Sequence, residues 1–194
     1  VDNVTFTVSS NGGDADIALA GAGYTSEYLV ESFETSVPPA GWTAVATSGS
    51  YNWEQYAWSS SYDGDNVAKY NSYNASSGSM AELVTPRLDL SASTSNILSF
   101  YYAHLTTFSG YTDSVTVSVS EDGGTTWAAL GSAFFQDYYW HNVVLDLSAY
   151  SGNNVKIKFE AVSDWGVSQY MDLAIMPPVY VPPSAPIYIS EIVV

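Results

Sequence analysis

The sequence predicts an all-β protein in which two sheets pack face to face as a β-sandwich. Strand-like runs recur at intervals of about 10 to 15 residues and are separated by turn residues, a spacing typical of sandwiches. Aromatic residues make up 15% of the 194 residues, and aromatic side chains favour strands. A chain of this length can form one main sandwich domain with a few additional strands.

The N-terminal segment, residues 1–26, is predicted to form a β-hairpin. Apolar residues alternate with Thr from Val4 to Val8, and a second apolar run extends from Ile17 to Gly23 after Asn-Gly-Gly-Asp at 11–14. So short a hairpin cannot bury enough surface to fold alone, so it must pack on the main domain or on another chain. Its ending, Leu19 to Gly23, resembles the closing strand of immunoglobulin-like modules. The hairpin is therefore either the end of such a module or an assembly strand.

The main domain is predicted to extend over residues 27–176. It opens with the stretch Glu31 to Trp42, in which two glutamates bracket a Phe and a Pro-Pro turn precedes Trp42, which we expect in the core. Short apolar or alternating runs then follow as expected strands. These strands are Val67–Tyr70, Ala81–Val84, Ile97–Tyr102, Ser114–Ser120, Trp127–Leu130, His141–Leu147, Val155–Ala161 and Tyr170–Ile175.

The C-terminal residues divide into a linker and one more strand. Residues 177–186 contain two Pro-Pro pairs that frame Val-Tyr-Val, and these predict a stiff, extended linker. Residues 187–194 form an apolar run that resembles the first strand of a lamin-tail-like domain. This run is predicted to be either the start of a next domain or an assembly strand, and such a strand is prone to pair with others unless it is covered.

Charge and composition exclude several classes of partner. Only 4 Lys and Arg stand against 20 Asp and Glu, for a formal charge of −16, which repels nucleic acids and anionic membranes. No apolar run approaches the roughly 20 residues that span a bilayer, so we expect no membrane insertion. The absence of cysteine excludes disulfides and thiolate chemistry and is common in bacterial extracellular proteins.

The sequence offers no motif for catalysis. His104 and His141 lie in aromatic strand contexts, and no nucleophile elbow, zinc-protease motif or phosphate loop is present. A glycosidase using two of the many carboxylates is the least supported alternative, and we expect no enzyme. The run from Ser120 to Trp127 fits the Asp-box pattern, which predicts a hairpin whose Asp122 side chain caps the turn amides.

A set of landmarks in order resembles the choice-of-anchor J or cleaved-adhesin family, which is akin to MAM domains. The landmarks are Glu31-Ser-Phe-Glu34 with Pro38-Pro-Ala-Gly-Trp42, Leu83 to Leu90, Leu98 to Tyr102, Asp113 to Trp127, Trp140 before Val144 to Leu147, Val155 to Phe159 and Tyr170 to Leu173. The resemblance implies a non-catalytic jelly-roll module, secreted or on the surface of a bacterium, that frequently carries structural calcium.

The resemblance also implies candidate calcium ligands. The carboxylate after the family's Phe falls on Glu34 and that of the last strand on Asp172, whereas Leu173 stands where the family has a second acid. Since first and last strands often meet in a jelly roll, Glu34 and Asp172 could share a cation. Asp63, Asp65 and Asn66 lie in a loop that can add oxygen ligands, and Asp113 is a weaker candidate.

Two groups of aromatic residues predict a ligand surface. The first contains Trp53, Tyr56, Trp58 and Tyr62, and the second contains Phe134, Phe135, Tyr138, Tyr139 and Trp140; of the second group we assign Tyr138 and Tyr139 to the surface. Packing between sheets uses the same residue types. The expected function is a recognition module for a glycan or a surface protein of a host or neighbouring cell. The alternative is a subunit of an extracellular filament that assembles by strand exchange through its terminal strands.

Overall fold

The computed structural model describes residues 3–10, 13–20, 29–91, 96–104, 112–132, 139–165 and 169–176. Side chains are described for these residues apart from 3–20, 132, 169 and 172–176. The predicted linker at 177–186, the predicted strand at 187–194 and Tyr138 lie outside the described residues.

All regular secondary structure in the described residues is β-strand, which confirms the all-β prediction. The strands are β1 Asn3–Ser10, β2 Gly13–Ala20, β3 Leu29–Glu31, β4 Thr43–Ser48, β5 Trp53–Ala57, β6 Asn66–Tyr70, β7 Met80–Val84, β8 Ile97–His104, β9 Ser114–Ser120, β10 Ala128–Ser132, β11 His141–Asp146, β12 Lys156–Val162 and β13 Gln169–Met176. Within this part of the chain there is no helix with the length and hydropathy to cross a membrane.

The N-terminal hairpin forms as predicted. Strands β1 and β2 pair in an antiparallel register that runs without interruption from Asn3 opposite Ala20 to Ser10 opposite Gly13. The two strands form a two-stranded sheet of their own among the described elements.

The remaining strands form the two antiparallel sheets of the sandwich. The five-stranded sheet has the order β10-β9-β12-β7-β4, and the six-stranded sheet has the order β11-β8-β13-β6-β5 with β3 paired to β13. Alternate residues of each strand enter the space between the sheets, as Ile157, Phe159 and Ala161 of β12 do. We call the side of the six-stranded sheet that is turned away from this core its outer face.

Aromatic side chains from both sheets fill the core. The ring of Phe159 lies 5.2 Å from that of Phe100, in an edge-on arrangement, and 6.4 Å from that of Trp42, in a stacked arrangement. Trp42 is buried, as predicted from its place after the Pro-Pro turn. Phe33 is also completely buried and meets Trp42 edge-on at 5.9 Å. The stretch that opens the domain therefore contributes two of its central aromatic rings.

The opening and closing strands of the sandwich are neighbours. Strand β3 pairs with β13 through Glu31 opposite Ala174, Val30 opposite Ile175 and Leu29 opposite Met176. The sequence predicted most strands to within one or two residues, but it did not predict β4 or β5. Both lie at the edges of their sheets and expose most of their residues, so neither shows the apolar alternation that identifies a half-buried strand.

Candidate functional site

Glu34 is positioned by an unusual backbone conformation at Phe33. Phe33 has a φ of 61°, a region that bulky residues rarely adopt. Its N–H donates to the Glu31 carboxylate at 2.6 Å, and its carbonyl accepts from the Gln55 side chain at 2.8 Å. Because the backbone turns here, Phe33 enters the core while the next residue, Glu34, is directed at the loop between β5 and β6.

The Glu34 carboxylate holds that loop by its backbone. Oε1 accepts hydrogen bonds from the amides of Asp65 at 2.9 Å and Asn66 at 2.8 Å, and Oε2 accepts from the Asn66 side chain at 3.1 Å. The hydrogen bond from the Asn66 amide is the largest cause that lowers the pKa of Glu34. The structure thus brings together three of the five residues that the sequence proposed as calcium ligands.

The chemistry of this cluster suits a calcium ion in part. Glu34 supplies a carboxylate at an exposed position, which calcium prefers, whereas Asp65 and Asn66 face this carboxylate with N–H donors. Oε1 already accepts two hydrogen bonds, so Oε2 and a rotated Asn66 side chain are the groups available to a cation. Among the side chains that the structure describes, no three of the types His, Cys, Asp and Glu lie together as a metal-binding group.

The other predicted calcium ligands differ in their positions relative to Glu34. Asp63 belongs to the same loop. Asp172 is placed opposite Tyr101 in β8, two residues before the partner of Glu31, but its side chain is not among those described, so its contact with Glu34 stays a prediction. Asp113 does not join the cluster, because it is buried against His104 at 3.2 Å.

The outer face of the six-stranded sheet carries a second apolar cluster. Register places Tyr170 of β13 between Ala103 of β8 and Lys69 of β6, on the side opposite to the core residues. Val67, Ala103 and Tyr170 are buried there, and the half-buried Trp58 and Trp140 pack over them. The ring of Trp58 lies 4.4 Å from that of Tyr170 and 5.3 Å from that of Trp140.

Several aromatic rings around this cluster are open to solvent. Tyr56 is 38% exposed, Tyr62 46% and Tyr139 72%. Tyr62 stacks on Tyr101 with ring centroids 3.3 Å apart, and a side-chain hydrogen bond between the two is the largest cause that raises the pKa of Tyr62. The ammonium group of Lys69 lies 4.2 Å from the centre of the Tyr56 ring.

The prediction that Trp53 belongs to the ligand surface is wrong. It is only 3% exposed, and its indole N–H donates to the Ala81 carbonyl at 3.2 Å. Trp53 and Tyr56 lie three apart in one strand, so they occupy opposite faces of the sheet, and only Tyr56 is on the outer face. Sequence reasoning also missed Tyr101 and Tyr170. Their alternation with the buried Tyr102 and Met171 was the signal that could have found them.

The Asp-box hairpin between β9 and β10 has the predicted structure. Asp122 Oδ1 accepts from the amides of Thr125 and Thr126, both at 2.9 Å, and Oδ2 accepts from the Thr126 hydroxyl at 2.7 Å. These hydrogen bonds lower the pKa of Asp122, with the Thr126 amide as the largest cause. Gly123 and Gly124 have φ values of 74° and 103°, which an L residue rarely adopts. The motif therefore stabilises a turn.

Comparisons with known proteins agree with this architecture. The family described as Cleaved Adhesin Domain matches residues 26–141, whereas no curated protein matches the chain significantly. The K1 cleaved adhesin domain of Lys-gingipain from Porphyromonas gingivalis W83 has a similar structure, with a TM-score of 0.62, 18% identity and coverage of 77% of this chain and 97% of that chain.

Carbohydrate-binding modules share the fold at lower similarity. The C-terminal family 22 module of Clostridium thermocellum Xyn10B has a TM-score of 0.53 and 14% identity over 78% of this chain and 93% of that chain. The module TmCBM61, solved with β-1,4-galactotriose, has a TM-score of 0.50 and 12% identity over 71% of this chain and 88% of that chain. At such identities the likeness shows the fold alone. The family match extends over more than half of the sequence, and the chain therefore belongs to the cleaved adhesin domain family.

Proposed function

We propose that this chain is a non-catalytic recognition module at the surface of a bacterium that binds neutral glycans on the outer face of its six-stranded sheet. The observation that supports this function most directly is the group of aromatic rings on that face, of which Tyr56 and Tyr62 are exposed. Membership in an adhesin family supports attachment to glycans of a host or neighbouring cell.

Aromatic rings on a sheet face suit sugars for a physical reason. A pyranose ring has an apolar C–H face that loses little on leaving water and gains dispersion contacts on an aromatic ring. The hydroxyl groups at its edge need polar partners, and Lys69, Asn142 and Ser99 lie on or beside this face. The net charge of −16 and the carboxylates of Glu34 and Asp65 near the face disfavour acidic sugars.

The structural relatives add support at the level of fold. One of them was solved with β-1,4-galactotriose, and another is described as a xylan-binding domain, with a TM-score of 0.50. Both of these glycans are neutral in their backbones. We therefore take the trisaccharides of β-1,4-galactan and xylan as the first probes.

Substitution of an exposed ring tests the proposed surface. Tyr56→Ala is expected to weaken binding to the trisaccharide of β-1,4-galactan or of xylan, measured by calorimetry, by about tenfold, because stacking contacts of this kind contribute roughly 1–2 kcal/mol. Tyr73→Ala is the matched control, since Tyr73 is 61% exposed in the segment between β6 and β7 and should leave binding unchanged. Equal binding by both variants, or no binding of any neutral glycan on an array, would contradict the proposal.

We also propose that calcium stabilises the module at the Glu34 cluster. Glu34, Asp65 and Asn66 would hold the ion, with Asp63 and Asp172 as further ligands. A ligand that binds only the native state raises the melting temperature, so EDTA should lower the melting temperature of the protein and added calcium should restore it. Glu34→Gln should abolish this response. A melting temperature that EDTA leaves unchanged, with no metal in the purified protein, would contradict the calcium proposal.

A second function, a structural subunit of an extracellular filament, is favoured by the N-terminal hairpin. Among the described strands, β1 and β2 pair only with each other, and an isolated two-stranded sheet is marginally stable in water. Pairing with a neighbouring copy would stabilise this hairpin or the apolar segment 187–194. Sedimentation over a wide concentration range tests the idea. A strict monomer whose state does not change when residues 1–26 or 187–194 are deleted would exclude it.

A further inference from the structure

The loop between β5 and β6, residues 58–65, lies across the outer face of the six-stranded sheet. It leaves the sheet at β5, the edge strand, yet Tyr62 stacks on Tyr101 of β8, three strands away in the sheet order. The Ser60 carbonyl accepts a 2.6 Å hydrogen bond from the indole N–H of Trp140, directly before β11 at the opposite edge. At about 4.8 Å between neighbouring strands, the loop bridges a width of roughly 19 Å.

This position explains why the outer face has a buried apolar cluster at all. Val67, Ala103 and Tyr170 point away from the core, and residues on such a face are normally exposed. They are buried here because Trp58 of the loop and Trp140 lie over them. The loop therefore covers the central part of the surface on which an extended glycan chain would lie.

The loop is attached by a small number of directional contacts. One end is closed by the hydrogen bond from the Trp58 amide to the Asp65 carbonyl at 2.9 Å, next to the amides that Glu34 holds. The far part is attached through the Trp140 hydrogen bond and the Tyr62 ring. Since Tyr62 lies flat on Tyr101, it fills the place that a sugar ring would take on Tyr101.

We propose that residues 58–65 determine the specificity of this face by occupying the place of an extended chain, so that the module accepts short or terminal saccharides and discriminates against long polysaccharides. This inference rests on the proposed glycan-binding function. Trp140 acts as a positioning residue, because its indole N–H keeps the loop across the sheet. Releasing the loop would expose Tyr101 and Tyr170 and give a long chain a continuous aromatic surface.

Two variants test the inference. Trp140→Phe removes the indole N–H and keeps an aromatic ring over the cluster. A loop replacement that substitutes Asn-Gly for residues 59–64 shortens the β5–β6 connection to a tight hairpin, which the paired ends at Trp58 and Asp65 permit. Trp165→Phe is the matched control, since Trp165 is an exposed tryptophan in the segment between β12 and β13.

The readout is the ratio of affinities for long β-1,4-galactan or xylan and for the corresponding trisaccharide, measured by calorimetry. We expect Trp140→Phe to raise the polymer-to-trisaccharide ratio about fivefold, the equivalent of one ordinary hydrogen bond. The loop replacement should raise it further, and Trp165→Phe should leave it unchanged. A merely structural role of Trp140 would lower the melting temperature without moving this ratio.

Hydrogen exchange at the amide of Ser61, next to the Ser60 carbonyl that Trp140 holds, follows loop release without any glycan. Faster exchange in Trp140→Phe together with an increased ratio supports the inference. An unchanged ratio in both variants, while the unmodified protein binds the trisaccharide, overturns the inference and leaves the proposed function standing. Absence of binding to every neutral glycan in all the proteins overturns the proposed function and this inference with it.

Discussion

In each of two loops of this protein one carboxylate accepts hydrogen bonds from backbone amides, but the two carboxylates act over very different distances in the sequence. Asp122 caps the amides of residues 3 and 4 positions after it. Glu34 caps amides that lie 31 and 32 positions after it. The Asp122 cap can form within the hairpin alone, whereas the Glu34 cap exists only after the sandwich has brought the opening segment to the β5–β6 loop.

The two loops are stabilised by different parts of the molecule. The Asp122 loop depends on Ser120, Asp122, Thr125 and Thr126, which are local residues. The Glu34 loop depends on the core, because Glu34 follows the buried Phe33 with its positive φ. A substitution of Phe33 should therefore release the Glu34 loop and leave the Asp122 loop closed.

The largest expected effect comes from removing the ring of Phe33, the buried residue that positions the Glu34 carboxylate. Phe33→Ala should lower the free energy of unfolding by about 3–5 kcal/mol, because it leaves a cavity beside Trp42, as measured by urea denaturation. Under native conditions it should also speed hydrogen exchange at the amides of Asp65 and Asn66. Phe100→Ala is the matched control, since it removes an equally buried ring without a link to Glu34. Slow exchange at both amides in Phe33→Ala would show that the cap does not depend on the core.

The next largest effect is expected at Gly64, which lies against the Glu34 carboxylate. Gly64 has a φ of 64°, and an added Cβ would overlap the Glu34 carboxylate. Gly64→Ala should therefore cost about 1–2 kcal/mol for the backbone conformation and roughly 1 kcal/mol more for the displaced cap. Gly78→Ala isolates the backbone cost, because Gly78 has a φ of 81° and nothing within 4 Å of an added Cβ.

A double variant separates the two contributions at Gly64. In Glu34→Ala the carboxylate is gone, so adding Gly64→Ala should cost no more than Gly78→Ala does in the unmodified protein. Additive losses in the double variant would mean that the overlap with Glu34 contributes nothing.

Removing the Asp122 carboxylate should destabilise the turn between β9 and β10 without opening the Glu34 loop. Asp122→Ala should lower the melting temperature by several degrees and abolish the exchange protection of the Thr125 and Thr126 amides, while the amides of Asp65 and Asn66 stay protected. Asp146→Ala is a milder comparison, because Asp146 is bonded to a single residue, Ser148, whose amide donates to it at 2.7 Å. Simultaneous loss of protection in both loops would contradict the idea that the Asp122 cap is local.

The smallest expected effect comes from removing the negative charge of Glu34. Its pKa is lowered from the ordinary value of 4.5 in the folded protein, so it contributes stability that is fully present above that value and is lost as the pH falls through the folded pKa. Glu34→Gln should cost about 1 kcal/mol at neutral pH, a hydrogen-bond contribution reduced by solvent. In calcium-free buffer this difference should decrease as the pH falls below 4.5 and disappear once Glu34 is protonated in the folded protein. A difference in stability that persists at low pH would mean that it arises from packing and not from the charge.

Much of the fold could be predicted from short stretches of sequence. The burial of Trp42 followed from the Pro-Pro turn before it, and the Asp122 hairpin followed from a motif of eight residues. The faces of β5 could not be predicted, because an edge strand such as Trp53–Ala57 exposes most of its residues and hides the alternation that distinguishes Trp53 from Tyr56. Tyr101 and Tyr170 lie in interior strands that were predicted, and their alternation with the buried Tyr102 and Met171 was the signal that the prediction overlooked.

The sequence was sufficient to predict the sandwich class, the family, the strand spacing and the Asp122 turn, because short patterns of apolar, turn and motif residues mark each of these features. Only the tertiary structure decided which carboxylate holds the β5–β6 loop and which aromatic rings share the outer face. The physical reason is that these contacts join strands that are distant in the chain, and the order of strands in the sheet, rather than any local preference, brings Tyr62 to Tyr101 and Trp140 to Ser60.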